Sequence, residues 1–581
     1  MDQAERRSLT GARWALSEVG STRVESLRST TGLSPAAARV LALRWDGAEE
    51  PADPSRWLAP SFDHLHDPFA MRNMDAAIDR LRSALRRREK IRVVTDYDVD
   101  GTTSSLILQA ALRMVEPAVE VSWHVPNRFD EGYGFSVRAA TEAARDGIGL
   151  LVTADIGVRD HAAVHAAREA GVDVLICDHH LPAGASVPED ATVLCPPQRG
   201  CAYPNRALAA CGVSLKVAHA LLAGHPKRDA VLRSMMKLAA IGTVADMVSL
   251  GTLENRAIVA LGLQELNKGP HAPGLQALIE VCRLGPGTID ESSLGYRIGP
   301  RINAAGRVAD AGLVIELLGT RDPEVARARA QQLDALNTER RDLQKRLVAE
   351  ALDAIGDAPD PFVVLAGMED AGWHRGVVGI AASRIKDQVE RPVAVVSIQG
   401  ELAVGSVRSI PGIHAVQALD AVSDLLLKFG GHPAAAGFTV RTADLDQLRA
   451  RLGAWVTERV PVGELVPLRR ADVVVPSVEL TDRLHDELVR LGPFGTGNPA
   501  PALIVPGVRP FAVQVKGADG ALLKFLVARD GERAMEAVWW DAAAQASALQ
   551  SQPVDLLATL GEHVWQGERR LQLEIKDARA A

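Results

Sequence analysis

The sequence predicts an α/β protein: a parallel-sheet domain, a long connecting helix, a second α/β domain and a C-terminal β-barrel. Three observations support this fold class. Apolar segments alternate with helical segments between residues 91 and 177, which is typical of a parallel sheet covered on both faces. A helical pattern then runs without a breaker from residue 323 to about 355. Five short alternating segments follow residue 510, as expected for a small barrel such as an OB-fold.

Length and composition limit the functional classes. The chain has 581 residues, enough for roughly four domains. Its net charge of −8 means that a nucleic-acid partner would need a local basic stripe. Five cysteines without a CxxC pair fit a reducing cytoplasm. No run reaches the roughly 18 apolar residues of a membrane span, so we expect no membrane association.

We expect five divisions along the chain. Residues 1–64 form an N-terminal helical extension, in which Trp57 and Phe62 pack onto the body. Residues 65–320 form the first α/β domain, which we call the catalytic domain because its strands end in acidic and histidine residues. Residues 321–356 form the connecting helix and 357–462 the second α/β domain. Residues 463–581 form a barrel of the OB-fold type, whose basic and aromatic residues suit nucleic-acid binding.

The catalytic domain begins with an amphipathic helix from Met71 to Lys90, whose apolar residues recur at helical spacing. Strands and helices then alternate. The predicted strands are Ile91–Thr95, Val119–Val125, Gly149–Ala154 and Val172–Cys177, and the predicted helices include Ser136–Asp146 and His161–Ala170.

Three carboxylates, Asp96, Asp98 and Asp100, follow the first strand at alternate positions. After them, Gly101 precedes a helical stretch that we place at Leu106–Met114. Alternate residues of an extended segment point the same way, and three like charges aimed at one spot repel each other unless a cation lies between them. Hard divalent cations prefer carboxylate oxygen. On these residues alone, an acidic turn or a helix cap is an equal alternative.

The other three strands also end in polar residues. Residues 126–134 follow the second strand, Asp155 follows the third, and Asp178, His179 and His180 follow the fourth. Open α/β sheets bind ligands beyond the carboxyl ends of their strands. Four consecutive strands of this kind predict a functional site at one edge of the sheet.

Residues 207–282 are predicted to be mostly helical. They include Asp246 in an apolar setting, for which an N-cap or a surface kink is the structural alternative. Residues 299–307 are predicted to be a loop in which Arg301, Asn303 and Arg307 lie among glycines. Such a composition suits an anion-binding turn, and a plain turn is an equal interpretation.

The connecting helix has a clear start. Asp322 is a suitable N-cap, Pro323 suits the first helical position, and Glu324 places an acid in the first turn. The pattern continues to Ile355, which gives a helix about 50 Å long. We expect it to bridge two domains.

The second α/β domain is predicted to contain strands at Phe362–Ala366 and Pro392–Ser397 and a helix at Val377–Lys386. Three glycine-rich segments stand out at residues 373–376, 405–409 and 430–438. Glycine lets backbone amides approach an anion, and arginine or histidine supplies charge. A plain turn is the alternative for each segment. The candidate ligand residues are Arg375, Ser406, Arg408, Gly431 and His432.

The C-terminal region is rich in strand patterns, at Pro510–Lys516, Leu522–Ala528, Ala534–Trp540, Leu556–Leu560 and Leu571–Ile575. Basic and aromatic residues in it suit a face that binds single-stranded nucleic acid, with a purely structural module as the alternative. These residues are Lys516, Lys524, Arg529, Arg533, Trp539 and Trp540. If this face binds single-stranded nucleic acid, we expect removal of the region after about residue 465 to weaken that binding more than the chemistry at the sheet edge.

Four motifs occur in one order: residues 96–101, 153–157, 178–180 and 242–248. They resemble the signature motifs of the DHH phosphoesterase superfamily, and residues 430–438 resemble its DHHA1 companion domain. Together with the segments at 126–134 and 299–307, the long helix and the β-rich tail, they make residues 65–577 similar to the RecJ family. One departure is Val94, which stands where many members carry a histidine.

The resemblance implies an exonuclease that degrades single-stranded DNA in the 5′→3′ direction to 5′-mononucleotides, in DNA recombination and repair. It also implies two divalent cations, Mn²⁺ or Mg²⁺. Its implied partners, besides single-stranded DNA, are a single-stranded-DNA-binding protein and a RecQ-type helicase.

The resemblance further implies roles for the motif residues. Asp155 would bridge the two cations, and Asp98, assisted by Asp96, would hold one of them. The other cation would be held by Asp100, His179 and Asp246. Asp178 would orient His179, and His180 would contact the scissile phosphate and protonate the leaving oxygen.

The implied DNA contacts lie on both α/β domains, and for each arginine a solvated surface charge is the alternative. The candidates are Arg128, Arg301, Asn303, Arg307, Arg375, Ser406, Arg408, Gly431 and His432, with Tyr133 or Phe129 stacking on a base. Two other functions remain open: a phosphoesterase for small molecules or oligonucleotides, of the nanoRNase or pyrophosphatase type, and a non-catalytic DNA-binding scaffold. The long helix and the β-rich tail argue against the first. The complete set of motif carboxylates argues against the second.

Overall fold

The computed structural model describes residues 7–45, 53–128, 130–182, 184, 186–356, 358–460, 465–517, 522–529, 533–565 and 568–581. Within these residues the chain forms two α/β domains, a C-terminal module built on a seven-stranded sheet, and a two-stranded sheet that joins the N-terminal segment to the start of that module. None of the helices in these residues is both long enough and apolar enough to cross a membrane.

The sequence predicts a helical N-terminal segment. The segment is helical in part, but it also contributes a strand. Its elements are β1 (Arg13–Leu16), α1 (Ser21–Thr31), α2 (Pro35–Arg44) and α3 (Ser55–Leu58). Strand β1 pairs in parallel with residues 468–471, and Trp14 donates a hydrogen bond to Asp577. Trp57 is fully buried in the core of the C-terminal module, whereas Phe62 packs on the catalytic domain.

The first α/β domain contains the predicted parallel sheet. Its elements are α4 (Met74–Arg87), β2 (Lys90–Thr95), α5 (Val99–Val115), β3 (Val121–His124), α6 (Val137–Arg145), β4 (Ile148–Ala154), α7 (His161–Glu169), β5 (Asp173–Cys177) and β6 (Thr192–Leu194). The strand order is β3-β2-β4-β5-β6, and all neighbours are parallel. The four predicted strands are confirmed, and β6 is an additional edge strand of three residues.

Helix α5 begins at Val99, seven residues before the predicted start. Asp98 is its N-cap, since its side chain accepts a hydrogen bond from the amide of Gly101. A Cβ at Gly101 would lie 2.7 Å from the carbonyl oxygen of Asp96, so glycine lets the helix start directly against the strand end. The three carboxylates of this motif therefore do not lie on one extended segment.

A helical subdomain completes the catalytic domain. It consists of α8 (Ala210–Leu221), α9 (Arg228–Ala245), α10 (Leu253–Lys268), α11 (Pro273–Val281), α12 (Glu291–Ser293), α13 (Gly299–Val308) and α14 (Gly312–Gly319). The prediction of a loop at residues 299–307 is wrong, because these residues form α13. A π-helical turn, Leu294–Ile298, precedes it. Pro300 has no amide hydrogen and would clash with the carbonyl four residues before it, which a wider turn accommodates.

The connecting helix α15 (Pro323–Ile355) is confirmed, with Asp322 as its N-cap. Its first half packs in the core of the helical subdomain through Ala330 and Leu333. Its last turns bury Leu347 and Ala351 against the second α/β domain. The helix therefore bridges the two domains, as predicted.

The second α/β domain contains β7 (Val363–Met368), α16 (Val378–Val389), β8 (Val393–Gln399), β9 (Leu402–Arg408), α17 (Ala415–Asp420), β10 (Leu426–His432), β11 (Ala435–Arg441) and α18 (Leu445–Thr457). The strand order is β10-β11-β9-β8-β7. Two glycine-rich segments belong to strands of this sheet. At Gly405 a Cβ would lie 2.1 Å from the ring of Phe438, so this glycine makes room for a core side chain.

The C-terminal module contains β12 (Leu468–Ala471), β13 (Val473–Val474), α19 (Asp482–Val489), β14 (Leu503–Val508), β15 (Phe511–Lys516), β16 (Leu522–Val527), β17 (Met535–Trp540), α20 (Ala546–Ser551), β18 (Val554–Trp565) and β19 (Glu568–Ala580). The sheet order is β13-β14-β18-β19-β17-β16-β15. The five predicted strands are confirmed. The prediction that Trp539 lies on the exposed binding face is wrong. Strand alternation buries Trp539, which is 4% exposed, whereas Trp540 is 58% exposed.

Candidate metal centre and adjoining arginine cluster

The carboxyl ends of three neighbouring parallel strands bring the predicted metal ligands together. Asp96 follows β2, Asp155 follows β4, and His179 follows β5. Ligand atoms lie within 4.8 Å of one another in three groups. The groups are Asp96, Asp98 and Asp155; Asp100, His179 and Asp246; and Asp155, His179 and His180.

Asp155 is a member of the first and the third of these groups, and the backbone turns sharply there, at the end of β4. Its φ is +66°, and that of Gly157 is +115°. The hydroxyl of Thr153 donates a hydrogen bond to the carbonyl of Ile156 at 2.7 Å, which stabilises the turn. The Oδ1 of Asp155 lies 3.2 Å from the Nε2 of His179. A carboxylate shared by two groups of ligands can contact two cations.

Asp100 is held between two helices. It lies in the first turn of α5, and its two carboxylate oxygens accept hydrogen bonds from the amides of Ala210 and Cys211 at 2.7 and 2.8 Å. A Cβ at Gly242 of α9 would lie 3.0 Å from Asp100, so a larger residue there would displace the carboxylate. Asp100 Oδ2 lies 3.9 Å from the Nε2 of His179.

Asp246 follows the last turn of α9, where it is the C-cap rather than the N-cap considered from the sequence. Its Oδ2 lies 3.7 Å from the Nε2 of His179. Burial, followed by the charges of Asp100, Asp98 and Asp96, raises the pKa of Asp246 to about 9. A negative charge at a helix C-terminus is also unfavourable, so this carboxylate favours a nearby cation.

The other acids experience the same repulsion. Burial raises the pKa of Asp96 and of Asp155 well above the usual range, and neighbouring carboxylates raise both further. Three buried ligand atoms of this centre have no hydrogen-bond partner among the described residues: Asp96 Oδ1, Asp155 Oδ1 and His179 Nε2. Burial also lowers the pKa of His179, which favours the neutral imidazole that can bind a metal. These unpartnered atoms fit a pair of divalent cations, and the imidazole favours Mn²⁺ over Mg²⁺.

Val94, at the departure from the family pattern, is 1% exposed in an apolar core. It offers no ligand atom. The ligand group at that corner consists of Asp96, Asp98 and Asp155, so aspartates alone supply it.

Asp178 holds a histidine, but not the one that the family resemblance implies. Its Oδ1 lies 2.8 Å from the ring Nδ1 of His180, whereas it contacts His179 only through the backbone amide, at 2.7 Å. Burial alone would raise the pKa of Asp178, but its hydrogen bonds with His180 and Val158 and the charge of His180 hold the pKa at about 2. Burial acts to lower the pKa of His180, and the bond to Asp178 outweighs it and raises that pKa.

Tyr133 lies beside this pair. Its hydroxyl is 3.3 Å from the Nε2 of His180, and 58% of the residue is exposed. Its ring is in edge contact with Tyr97 at 6.4 Å. Tyr133 is therefore placed to meet a substrate at the metal centre. Phe129, the alternative stacking residue, lies outside the described residues.

Four arginines, from both α/β domains and the connecting helix α15, lie close enough to interact through their charges at Arg307. Arg128 lies over the Tyr97 ring at 4.7 Å, and Arg307 donates to the carbonyl of Gly376 at 3.3 Å. Burial lowers the pKa of Arg307 to about 10, and the charges of Arg128, Arg340 and Arg408 contribute to the decrease. We call these four residues the arginine cluster. Like charges held together in this way favour a bound phosphate.

Arg340, on α15, is a cluster member that the sequence analysis missed. No local pattern marks it, because its proximity to Arg307 follows from the path of the long helix. Ser383 was also missed: its hydroxyl accepts a hydrogen bond from Arg408 at 3.1 Å, and Ser406 accepts another at 2.9 Å. These bonds fix the Arg408 side chain.

The other predicted DNA contacts lie in different settings. Arg301 is engaged within the domain, donating to Asp334 at 2.8 Å and to the carbonyl of Arg297 at 2.8 Å, which ties α13 to α15. Arg375 is 3.6 Å from Glu369. Asn303 is half-buried on α13, and Gly431 and His432 are exposed on the β10–β11 hairpin.

The chain matches three protein-family models. Residues 90–243 match the N-terminal domain of the DHH family, and residues 360–458 match the DHHA1 domain. Residues 471–577 match the RecJ OB domain.

The chain is also similar to curated and solved proteins. It is 33% identical over 574 residues to the single-stranded-DNA-specific exonuclease RecJ of Bacillus subtilis (strain 168), covering 97% of this chain and 70% of that protein. The crystal structure of RecJ from Thermus thermophilus in complex with Mn²⁺ superimposes with a TM-score of 0.81 at 29% identity, covering 98% of this chain and 80% of that one. The Mg²⁺ complex of the same protein gives 0.76 at 28% identity, covering 98% and 78%.

Proposed function

This chain belongs to the RecJ family of single-stranded-DNA-specific exonucleases, and we propose that it hydrolyses single-stranded DNA from the 5′ end, releasing 5′-mononucleotides. The observation that supports this most is the convergence of five aspartates and two histidines on one sheet edge, with three unpartnered ligand atoms among these described residues. The arginine cluster beside them offers positive charge to the DNA backbone.

We assign the metal ligands as two groups with one shared member. Asp96 and Asp98 would hold one divalent cation, Asp100, His179 and Asp246 would hold the other, and Asp155 would be the shared ligand. Mn²⁺ or Mg²⁺ bound there would supply Lewis-acid activation of the scissile phosphate and of a water molecule. The carboxylates repel one another without this charge, which makes their arrangement favourable only with cations.

His180 is assigned as the general acid. Asp178 fixes its Nδ1, so its Nε2 faces Tyr133 and the open side of the site. Burial opposes the charged form of His180, but the hydrogen bond and charge of Asp178 raise its pKa, which favours the protonated ring. That proton can be transferred to the leaving 3′-oxygen of the DNA.

The arginine cluster is assigned to the 5′-terminal phosphate. A terminal phosphate carries more charge than an internal one, and several guanidinium groups at one place bind it with charge-assisted hydrogen bonds. Tyr133 stacks on a nearby base. Asn303, Arg375, Gly431 and His432 are lesser candidates for internal phosphates, whose contacts position the strand without selecting its sequence.

The remaining assignments concern the whole protein. Residues 65–320 carry the chemistry, residues 357–462 hold the strand against them, and residues 463–581 bind single-stranded DNA through the face with Lys524 and Trp540. By family membership we also propose a cytoplasmic role in DNA recombination and repair, with a single-stranded-DNA-binding protein and a RecQ-type helicase as partners.

Digestion of end-labelled DNA tests this function. With Mn²⁺, we expect a 5′-labelled single strand to release labelled mononucleotide at once, while a 3′-labelled strand shortens progressively and blunt duplex resists. Release from the 3′ end first would contradict the polarity. Faster turnover of dinucleotides than of long strands would favour a phosphoesterase for small substrates.

A further inference from the structure

A glycine-rich loop of the C-terminal module lies against the segment that follows Asp246. We call residues 491–500 the buttress loop and residues 247–252 the Asp246 loop. The amide of Leu250 donates a hydrogen bond to the carbonyl of Thr496 at 2.7 Å. A Cβ at Gly497 would lie 2.2 Å from the Ser249 hydroxyl oxygen, and one at Gly495 would lie 2.9 Å from the side chain of Leu250. The two loops are therefore in contact at glycine positions, where a larger residue would have to displace Ser249 or the side chain of Leu250.

The buttress loop has its own internal support. Asn498 is fully buried, and its side-chain amide donates to the carbonyls of Leu491 and Pro493 at 2.9 and 2.8 Å. Gly495 and Asn498 also exchange backbone hydrogen bonds, at 2.9 and 3.1 Å. The loop is thus a fixed turn rather than a flexible connection.

The buttress loop is anchored on the catalytic domain at two further places. Arg256 of α10 donates to the carbonyls of Leu491 and Gly492 at 3.1 and 2.6 Å. The carboxylate of Glu291 accepts a hydrogen bond from the amide of Phe494. The buttress loop therefore contacts α10, α12 and the Asp246 loop.

Asn255 of α10 also holds the Asp246 loop. Its side-chain amide donates to the carbonyl of Ser249 at 2.8 Å and to that of Ala207 at 2.7 Å. Ala207 lies just before Ala210 and Cys211, whose amides hold Asp100. Ser249 is thus fixed between Asn255 and Gly497, and the same asparagine connects it to the segment that orients a second metal ligand.

The position of the Asp246 side chain depends on the contacts that fix the Asp246 loop. Asp246 is the C-cap of α9, and Met247 leaves the helix with a φ of +60°. The regular hydrogen bonds of α9 therefore do not extend along the Asp246 loop. The residues that fix the outgoing backbone of Asp246 are those that the buttress loop and Asn255 contact.

We propose that the buttress loop is a positioning element for Asp246, so that the C-terminal module contributes to the metal centre as well as to DNA binding. The inference rests on the proposed role of Asp246 as a metal ligand. Groups that orient a ligand without touching the metal typically change metal affinity by about 10–100-fold. A shift of the Asp246 loop should therefore appear in Mn²⁺ binding before it appears in DNA affinity.

The test uses Gly497→Ala in the full chain. The substitution places a Cβ against Ser249 at a backbone φ of +75°. We expect Mn²⁺ binding to the metal-free protein, followed by the electron paramagnetic resonance of free Mn²⁺, to weaken about 10-fold. The Mn²⁺ concentration for half-maximal nuclease activity should rise equally, while the affinity for single-stranded DNA in EDTA stays close to that of the wild type.

Gly507→Ala is the matched control. Gly507 belongs to the same module and also has a positive φ, of +63°, but a Cβ there would meet no atom within 4 Å. It introduces comparable backbone strain away from the buttress loop. We expect Mn²⁺ binding to stay at the wild-type value.

Two further variants distinguish displacement of the Asp246 loop from a general effect of the substitution on folding. Adding Ser249→Ala to Gly497→Ala removes the clashing hydroxyl, so it should recover most of the lost Mn²⁺ affinity relative to Ser249→Ala alone. Gly495→Ala meets only the end of the flexible Leu250 side chain, so it should weaken Mn²⁺ binding by a few-fold. If Gly497→Ala does not fold, the Gly495→Ala result decides.

Asp246→Ala tests the assignment of Asp246 as a metal ligand separately from the positioning role of the buttress loop. If Asp246→Ala loses Mn²⁺ binding while folded Gly497→Ala and Gly495→Ala keep it, the inference is overturned and the ligand assignment stands. If Asp246→Ala binds Mn²⁺ like the wild type, the ligand assignment fails, and the inference fails with it. Loss of DNA affinity with unchanged Mn²⁺ binding would also overturn the inference.

Discussion

Asp155 combines an unusual backbone with a central position in the metal centre. Non-glycine residues at positive φ cost roughly 1–3 kcal/mol where the surroundings impose that conformation. Here the amide of Asp155 donates to the carbonyl of Cys177 on the neighbouring strand at 2.9 Å, which keeps the residue in register while its side chain turns into the site. The conformation places one carboxylate between two groups of ligands.

The first prediction concerns Asp155→Asn, which keeps the side-chain shape and tolerates the positive φ. Removing the charge should lower the rate of DNA hydrolysis by about 10³-fold or more, because the bridging interaction is lost. It should also raise the melting temperature in EDTA, because one repelling charge disappears. Calorimetry with and without Mn²⁺ measures this. Substantial Mn²⁺-dependent activity in the variant would exclude the bridging role.

Asp178 is tied to His180 by its ring and to His179 only by its backbone. In the proposed mechanism, this arrangement gives Asp178 a role in proton transfer rather than in the orientation of a metal ligand. The second prediction is that Asp178→Asn lowers kcat by about 10–100-fold with little change in the Mn²⁺ concentration for half-maximal activity. Steady-state kinetics over a Mn²⁺ titration separate the two roles. A large shift in Mn²⁺ requirement at constant kcat would assign Asp178 to His179 instead.

At the scale of elements, α15 does more than connect domains. It carries Arg340 into the arginine cluster, where three other guanidinium groups arrive from α13, β9 and the segment after β3. Arg340 is held by Asn337 at 2.7 Å and by Gln344 at 3.1 Å, both on its own helix. Its loss should therefore not disturb the packing between domains.

The third prediction follows from this placement. Arg340→Ala should raise KM for single-stranded DNA about 5–10-fold and reduce the salt dependence of binding by about one unit of slope, with kcat largely kept. Arg327→Ala, an exposed arginine on the same helix, is the control and should leave both unchanged. Binding measured across a salt series gives the result. An unchanged slope would remove Arg340 from the phosphate site.

At the scale of the whole molecule, the N-terminal segment and the C-terminal module share one hydrophobic core. Leu27, Leu41, Trp45 and Trp57 pack with buried residues of the C-terminal module such as Phe525 and Leu573, and Arg256 stacks on Trp57 at 4.0 Å. This changes the expectation for removing the C-terminal region, because a truncation near residue 465 would expose the N-terminal part of that core.

The fourth prediction is that a chain ending at residue 465 aggregates and needs more Mn²⁺ than the full chain, since it also lacks the buttress loop. A chain limited to residues 61–465 should be soluble but keep the higher Mn²⁺ requirement. Light scattering and Mn²⁺-dependent activity measure the two effects. If the 1–465 chain is monomeric and has the wild-type Mn²⁺ requirement, the predicted aggregation and the predicted need for more Mn²⁺ are both wrong.

The sequence by itself determined the features that depend on neighbouring residues, namely the strands, the helix caps and the polar strand ends. Apolar runs placed β2, β4 and β5, the caps and length of α15 follow from Asp322 and Pro323, and the polar residues after each strand identified the metal centre. These predictions succeed because periodicity, capping and strand-end position depend on neighbours along the chain. They fail where a local pattern has two solutions: the glycines of α13 indicate a turn as well as they indicate a helix.

Only the tertiary structure decided which distant residues meet. It places β1 beside β12, directs Asp178 to His180, brings Arg340 into the arginine cluster and sets Gly497 against Ser249. Most of these contacts join residues far apart in the chain, and their geometry is fixed by the packing of whole elements rather than by residue type. The motifs therefore indicate candidate ligands for this metal centre through their family resemblance, while close packing between domains decides what holds these residues in place.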